Sequence, residues 1–483
     1  MNQRRTKIVA TLGPATSDAD TIEALILAGM DVARLNFSHG SADDHRRRCT
    51  LVRELSARHQ RHVAVMGDLQ GPKIRIARFA EGSVMLEPGQ AFTLSNRHDK
   101  QAGTAGVVGV DYPPLVSDCH PGDELLLDDG RIVLQVESVE DEAVHTRVVQ
   151  GGALSDNKGI NRRGGGISAP SLTEKDRQDI TLAAELALDY IAVSFPRRGS
   201  DMEQARELIR AAGSDAWIIA KIERAEAVAD HEALDGIIAA SDGVMVARGD
   251  LGVEIGDARL VGLQKRIIRH ARTRNKLVIT ATQMMESMIN NPLPTRAEVS
   301  DVANAVLDYT DAVMLSGESA AGHYPVETVS AMARICVGAE KEPSMMRSRH
   351  RLDEVFTRCD ETIALSAMYA ANHFPGIKAI ISLTESGHTP LIMSRIRSSV
   401  PIYCYTRHAP TQRRAALFRG VYTVAFDAST LDPVEIGQRA VQALQDLGHL
   451  QTGDKVVLTH GDFYRQNAFH SGGTNTLKIL TAG

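Results

Sequence analysis

Between Trp217 and Glu223 the chain reads Trp-Ile-Ile-Ala-Lys-Ile-Glu, an apolar run closed by a lysine and a glutamate two residues apart. Residues two apart in a strand point to the same face. Lys221 and Glu223 therefore project together from an element otherwise suited to burial. A fully buried lysine is rare unless paired, and a lysine beside an acid can clamp a metal-bound anion. Taken alone, the pair reads first as a structural ion pair. Its company changes that reading, because other apolar runs also end in groups able to do chemistry. These are Arg34, Asn36 and Ser38; Asp68; Ser194; Arg248 and Asp250; Thr282; and Ser316 with Glu318.

The elements that must position these groups are short runs rich in Val and Ile: Lys7–Leu12, Val32–Phe37, Val63–Asp68, Tyr190–Phe195, Trp217–Glu223, Gly243–Arg248, Leu277–Thr282 and Ala312–Gly317. Bounded by Gly, Asp, Asn or Ser, they read as strands buried on both faces of a parallel sheet. Amphipathic stretches of helical length separate most of them. Ser17 with Asp20 suggests a helix start that ends at Gly29, and Thr295–Asp308 suggests another helix. Eight strand–helix units predict a (β/α)8 barrel, whose active sites collect at the C-terminal strand ends. Seven polar strand ends acting together are hard to explain as packing.

Two segments break this period. Residues 70–169 are dense in turn residues, with short alternating runs such as Arg131–Val136, and predict an inserted β-domain. Its place after the third strand suits a lid over the catalytic face. Beyond about Glu342, Ala379–Leu383, Pro401–Cys404, Val421–Phe426 and Lys455–Thr459 alternate with helices and predict a C-terminal open α/β domain. The expected organisation is a barrel over 1–69 and 170–342, a lid over 70–169 and a third domain over 343–483. The loop Thr384-Glu385-Ser386-Gly387-His388-Thr389 leads into a helix, where hydroxyls and N–H groups either bind phosphate or simply cap it. Glu385 is unhelpful for an anion.

Composition excludes several classes. The 483 residues are 43% hydrophobic and 24% charged with net charge −6, which suits about three domains of ~150 residues. Nothing suggests a nucleic-acid or membrane footprint. Arg46-Arg47-Arg48 reads as a solvated helix face, and the N-terminus lacks the apolar run of a signal peptide. No stretch approaches the ~18 apolar residues of a membrane span. The five cysteines are scattered without metal spacing, so a reducing cytoplasm with cysteines as small hydrophobes is expected.

Several segments match a known family in order along the chain. They are Lys7-Ile8-Val9-Ala10-Thr11-Leu12-Gly13-Pro14, Ala33–Gly40, Gly71-Pro72-Lys73-Ile74-Arg75, Ala220-Lys221-Ile222-Glu223, Ala247–Gly252, Ala281-Thr282-Gln283-Met284, Pro294–Glu298 and Leu315-Ser316-Gly317-Glu318. On these the chain resembles pyruvate kinase. The resemblance implies transfer of a phosphoryl group from phosphoenolpyruvate to ADP, giving pyruvate and ATP. It also implies a homotetramer and an allosteric phosphorylated effector. Mg²⁺ or Mn²⁺ would be held by Glu223 and Asp250, in keeping with the oxygen ligands such ions prefer. Lys221 would neutralise the migrating phosphoryl group and the enolate oxygen, and Arg34 would bind phosphate from the opposite side. The N–H groups around Gly249 and Asp250, with the Thr282 hydroxyl, would hold the substrate carboxylate. Thr282 would also belong to the relay that protonates the enolate. Asn36, His39, Arg75 and Lys158 are the nucleotide contacts implied, with His39 equally placed as a strand-end cap. The effector site would be Thr384, Ser386, Gly387, His388 and Thr389, with Ser471-Gly472-Gly473-Thr474 nearby.

One departure stands out at the hinge. Many family members have Thr-Lys-Gly-Pro-Glu-Ile-Arg-Thr where this chain has Leu69-Gln70-Gly71-Pro72-Lys73-Ile74-Arg75-Ile76. In those members the glutamate accompanies a potassium ion held at positions matching Asn36, Ser38, Asp68 and the carbonyl of Leu69. A tethered ammonium on Lys73 would replace that ion near Asp68 and make K⁺ unnecessary; otherwise Lys73 is a surface lysine of the lid. Two other classes share parts of the pattern. A Mg²⁺-dependent lyase or aldolase would not need Arg75, Lys221 and the lid together, and a non-catalytic sensor would not need all of Arg34, Lys221, Glu223, Asp250 and Thr282.

Overall fold

The computed structural model describes residues 4–346, 354–461 and 473–483. Eight parallel strands close a barrel: β1 Lys7–Leu12, β2 Val32–Asn36, β3 Ala64–Asp68, β4 Tyr190–Val193, β5 Trp217–Ile222, β6 Gly243–Ala247, β7 Leu277–Ala281 and β8 Ala312–Leu315. Barrel neighbours follow chain order, and β8 returns to β1 with Lys7 opposite Ala312. Strands β1, β3, β4, β6, β7 and β8 are buried at every position. That is why they lack apolar–polar alternation. Several strands stop a residue or two short of the apolar runs that mark them. Phe195 and Thr282 adopt φ of 57° and 66°, which takes the chain out of the ladder and frees the strand-end side chains from its pleat.

The helices follow local capping chemistry, with two corrections to the sequence reading. Helix Arg296–Leu307 begins with the expected Thr295–Glu298 capping box. Helix Ala19–Ala28, however, is capped by Asp18, whose carboxylate accepts from Thr21 N at 2.8 Å. Ser17 is withdrawn from that role because its hydroxyl donates to the Gly13 carbonyl at 2.6 Å and accepts from Arg48 Nη2 at 2.8 Å. Arg48 is accordingly buried, whereas Arg46 and Arg47 pair with Asp43 and Asp44 on the solvated face. Four cysteines are buried as expected, but Cys359 is exposed. Among the described residues, no helix is long and apolar enough to cross a membrane.

Two compact units divide the chain. One comprises residues 68–185 and 191–267, with β5, β6, most of β4 and the inserted segment. The insertion builds a six-stranded sheet in the order Ile160–Arg162, Glu124–Leu127, Ile132–Glu140, Ala143–Gln150, Ala91–Ser95, Val107–Gly109, and a two-stranded sheet of Gly152–Ser155 with Ser83–Leu86. Phe92, Leu125, Leu134, Val144 and Leu154 lie in its own apolar core.

The other unit comprises residues 1–67, 186–190 and 268–483. Its C-terminal part holds a five-stranded sheet ordered Val421–Ala425, Ile402–Thr406, Ile377–Leu383, Lys455–His460, Thr476–Thr481. The last strand, absent from the sequence reading, pairs antiparallel at the edge. Its residues are only partly buried, so it carries no strong apolar pattern. Buried charge joins this part to the β7–β8 end of the barrel. Arg395 donates to Asp311 through Nη1 at 2.8 Å and again through Nη2, and both side chains are 1% exposed. The guanidiniums of Arg272 and Arg419 stack on the Tyr309 ring, with their central carbons 4.1 and 4.5 Å from its centroid.

Candidate active site

Strand β5 delivers Lys221, and Glu223 one residue beyond its end, as the two-residue repeat requires, and groups from the end of β3 and from just after β4 complete the cluster. Lys221 Nζ lies 2.9 Å from Glu223 Oε1 and 3.2 Å from Asp68 Oδ1. It also donates to the Ser194 hydroxyl at 2.8 Å, and Ser194 in turn donates to the Leu69 carbonyl at 2.7 Å. Glu223 Oε2 accepts from the Phe195 N–H at 3.0 Å. The left-handed turn at Phe195 and the buried glutamate thus fix each other. Three segments converge on one ammonium: the ends of β3 and β5 and the residue after β4.

Glu223 is fully enclosed. Burial pushes its carboxyl above the ordinary range, Lys221 pulls it back, and the charges of Asp250 and Asp68 push it up again. The push that the Asp250 charge exerts on Glu223 is of the kind that a divalent cation relieves. Among the described residues there is no cluster of three or more His, Cys, Asp or Glu side chains arranged to hold a metal. A hard cation held by one or two carboxylates, with its other ligands from substrate and water, fits this donor set. Asp250 opens the helix Arg248–Ile255 together with Gly249, the end at which the helix dipole favours anions.

Lys73 lies on Asp250, with Nζ 3.1 Å from Oδ1. This differs from the sequence reading, which set it near Asp68; the ammonium beside Asp68 is that of Lys221. The physical reason is that Asp68 is 1% exposed and already served from β5, whereas the Asp250 carboxylate is 21% exposed and open to a side chain arriving from the hinge. Arg75 donates to the Asn157 carbonyl at 2.9 Å, and Lys158 pairs with Asp128 at 2.7 Å, both within the inserted segment.

In the other unit, Arg34 lies in the middle of β2, not at its end, as a buried guanidinium that donates to the Thr11 hydroxyl at 2.9 Å. Asn36 Oδ1 accepts from Ser38 N at 3.1 Å, closing the turn after β2, and His39 is exposed just beyond it. Thr282 has φ 66° and Gln283 has φ 53°. A β-branched residue in the left-handed region is strained by about 1–3 kcal/mol, and such strain collects at functional sites. The Thr282 hydroxyl donates to the carbonyl of Ala281 at 2.7 Å.

The C-terminal loop behaves chiefly as a turn. Gly387, at φ 83°, precedes the helix His388–Ser394, and its N–H donates to Thr384 Oγ1 at 3.0 Å. His388 N donates to Ser386 Oγ at 3.4 Å, and Thr389 Oγ1 lies 2.6 Å from Thr474 Oγ1. Glu385 pairs with His408 and Arg407. Ser471 and Gly472 lie outside the described residues.

Sequence reasoning missed Arg224, Glu226 and Glu254. Arg224 directly follows Glu223 and is buried, while Glu254 lies one turn beyond Asp250 on the same short helix. A buried arginine at the end of an apolar strand, with acids two residues and one helix away, was the available signal.

Comparison with known proteins shows matches to "Pyruvate kinase, barrel domain" over residues 3–329 and to "Pyruvate kinase, alpha/beta domain" over residues 361–480. The chain is 58% identical over 478 residues to pyruvate kinase II of Salmonella typhimurium, covering 99% of this chain and 98% of that protein. It is 55% identical to a pyruvate kinase of Haemophilus influenzae, over 95% and 96% of the two chains. A solved pyruvate kinase structure from Cryptosporidium parvum superposes with a TM-score of 0.91 at 34% identity, covering 99% of this chain and 96% of that one.

Proposed function

Because the chain belongs to the pyruvate kinase family, we propose that it transfers the phosphoryl group of phosphoenolpyruvate to ADP, giving pyruvate and ATP. The observation that carries this reading is the Lys221 ammonium held by Asp68, Glu223 and Ser194 at the end of β5. Phosphoryl transfer asks for positioning and charge neutralisation more than for covalent catalysis. A cation fixed on three partners needs little reorganisation to meet a charge that develops in the transition state.

The residues take the following roles. Lys221 neutralises the migrating phosphoryl group and the enolate oxygen left behind. Arg34 binds the phosphate, and the Thr282 hydroxyl with the first-turn N–H groups at Gly249 and Asp250 orients the substrate carboxylate. Thr282 belongs to the relay that delivers a proton to the enolate carbon. Asn36, His39, Arg75 and Lys158 contact the nucleotide. Glu223 and Asp250 would hold Mg²⁺ or Mn²⁺, which supplies Lewis-acid stabilisation of phosphate charge. Residues 70–169 act as the lid, residues 1–69 and 170–342 as the catalytic barrel, and residues 343–483 as a regulatory domain.

Lys73 stands for the monovalent ion. Its ammonium on Asp250 places a fixed positive charge at the hinge, and on that ground K⁺ is not required. Activation by a phosphorylated metabolite at Thr384–Thr389, a homotetramer and a cytoplasmic location complete the proposal. A lactate-dehydrogenase-coupled assay with phosphoenolpyruvate, ADP and Mg²⁺ tests its centre. Pyruvate should form only when ADP is present, and its absence with pure protein refutes the reading.

A further inference from the structure

The inserted domain returns to the barrel through Gly164-Gly165-Gly166, with φ of 80°, 83° and 96°. All three glycines occupy the left-handed region, and two are crowded as well. A Cβ on Gly165 would come within 2.4 Å of the Glu226 carboxylate, and one on Gly166 within 2.3 Å of the Arg162 guanidinium. Backbone of this kind reorients readily, so its partners decide where it rests.

Those partners belong to the segments that carry the candidate metal carboxylates. Gly164 N donates to the Glu254 carbonyl at 3.0 Å, and Gly166 N to Glu226 Oε1 at 2.6 Å. The Ile167 carbonyl accepts from Arg224 Nη2 at 3.1 Å and from Arg197 Nη1 at 3.4 Å. Arg224 is the hub, 5% exposed, with Nη2 2.9 Å from Glu226 Oε1 and Nε 3.4 Å from Glu254 Oε1. Glu254 also accepts from the Ala225 N–H at 2.8 Å and from Asn161 Nδ2 at 3.3 Å. One planar guanidinium thus serves acceptors on three segments: the loop after Glu223, the helix of Asp250 and the glycine hinge. A purely local ion pair would need only Glu226.

We infer that Arg224 is a positioning residue that ties the glycine hinge to the segments bearing Glu223 and Asp250, so that hinge position and carboxylate position change together. The inference rests on the phosphotransfer reading for its consequence, but its physical content is a coupling within this part of the chain. A lysine keeps the charge yet lacks the fork that reaches several acceptors.

The test uses the full-length protein with Arg224→Met and Arg224→Lys. Hydrogen exchange of peptides covering 160–170 should quicken in Arg224→Met by about ten-fold or more, as local opening becomes easier. Peptides covering 277–281 should not change. Mn²⁺ titrated into the protein and followed by electron paramagnetic resonance should bind about 10-fold more weakly, the usual scale for losing an outer-shell partner. Arg224→Lys should recover only part of both effects. If Arg224→Met does not fold, Glu226→Gln supplies the same readings, expected in the same direction and smaller. Wild-type exchange in the hinge overturns the inference. So does faster exchange with unchanged Mn²⁺ affinity, or full recovery by lysine. A wild-type protein that forms no ADP-dependent pyruvate refutes the phosphotransfer reading instead, while exchange and Mn²⁺ binding still decide the coupling.

Discussion

Replacing Lys221 by methionine keeps the length of the side chain and removes the ammonium that three buried groups share. At 2.9 and 3.2 Å, each of its two carboxylate attractions is about 5–6 kcal/mol at an effective dielectric of about 20. Desolvation offsets much of that, and breaking a buried pair from one side costs about 3–5 kcal/mol because the partner charge is left behind. Here two carboxylates, Asp68 and Glu223, are left behind at once. Glu223 is already pushed up by burial and by Asp250, so in the variant it takes up a proton more readily. A carboxyl raised in the folded state stabilises at low pH, and that contribution is lost as pH rises through its folded value. Lys221→Met should therefore lower the melting midpoint by on the order of 10 °C at about pH 8, and by clearly less at about pH 5. Mn²⁺ or Mg²⁺ should restore part of the loss at the higher pH by replacing the missing positive charge. Turnover should fall by ~10³-fold or more, and circular dichroism should show the barrel retained. Equal destabilisation at both pH values, with no effect of the metal, would refute the shared-charge reasoning.

Three further outcomes are expected. Coupled-assay rates with Mg²⁺ should match in sodium-only and potassium buffers, whereas Lys73→Glu should make the rate depend on K⁺; strong K⁺ activation of the natural sequence would remove Lys73 from that role. Arg395→Met should cost about 3–5 kcal/mol by differential scanning calorimetry, because Asp311 loses a bidentate partner at 1% exposure, and a cost within calorimetric error would show the pair to be incidental. Burial pushes Glu254 up to about 7 although Arg224 opposes the shift. Its contribution of up to about 3 kcal/mol is thus present below the ordinary carboxylate range and lost as pH rises through about 7. Glu254→Gln should flatten the stability profile over that window in thermal melts, and an unchanged slope would count against the shift.

Much of the site was legible in the chain because strand chemistry is local. Two-residue spacing put Lys221 and Glu223 on one face, and the unbroken Val and Ile runs announced strands covered on both sides. Capping at Thr295 was readable for the same reason, since Thr295 and Glu298 are three residues apart. Ser17 shows where such reading stops. Its hydroxyl is claimed by Gly13 and by Arg48, and no local rule foresees an arginine arriving from 31 residues away.

The same division separates the hinge lysine, Lys73, from Lys221. The sequence by itself determined that eight buried strands would form, that their ends would carry acids and cations, and that a turn-rich insertion would follow β3. Only tertiary structure decided which cation meets which acid. Asp68 took Lys221 because β5 delivers it into an enclosed position, and Lys73 was left to the more exposed Asp250. Tertiary structure also turned Arg224 inward to Glu226, Glu254 and the glycine hinge. Coulomb attraction between side chains depends on distance in space and on burial, and neither is written in the spacing of residues along the chain.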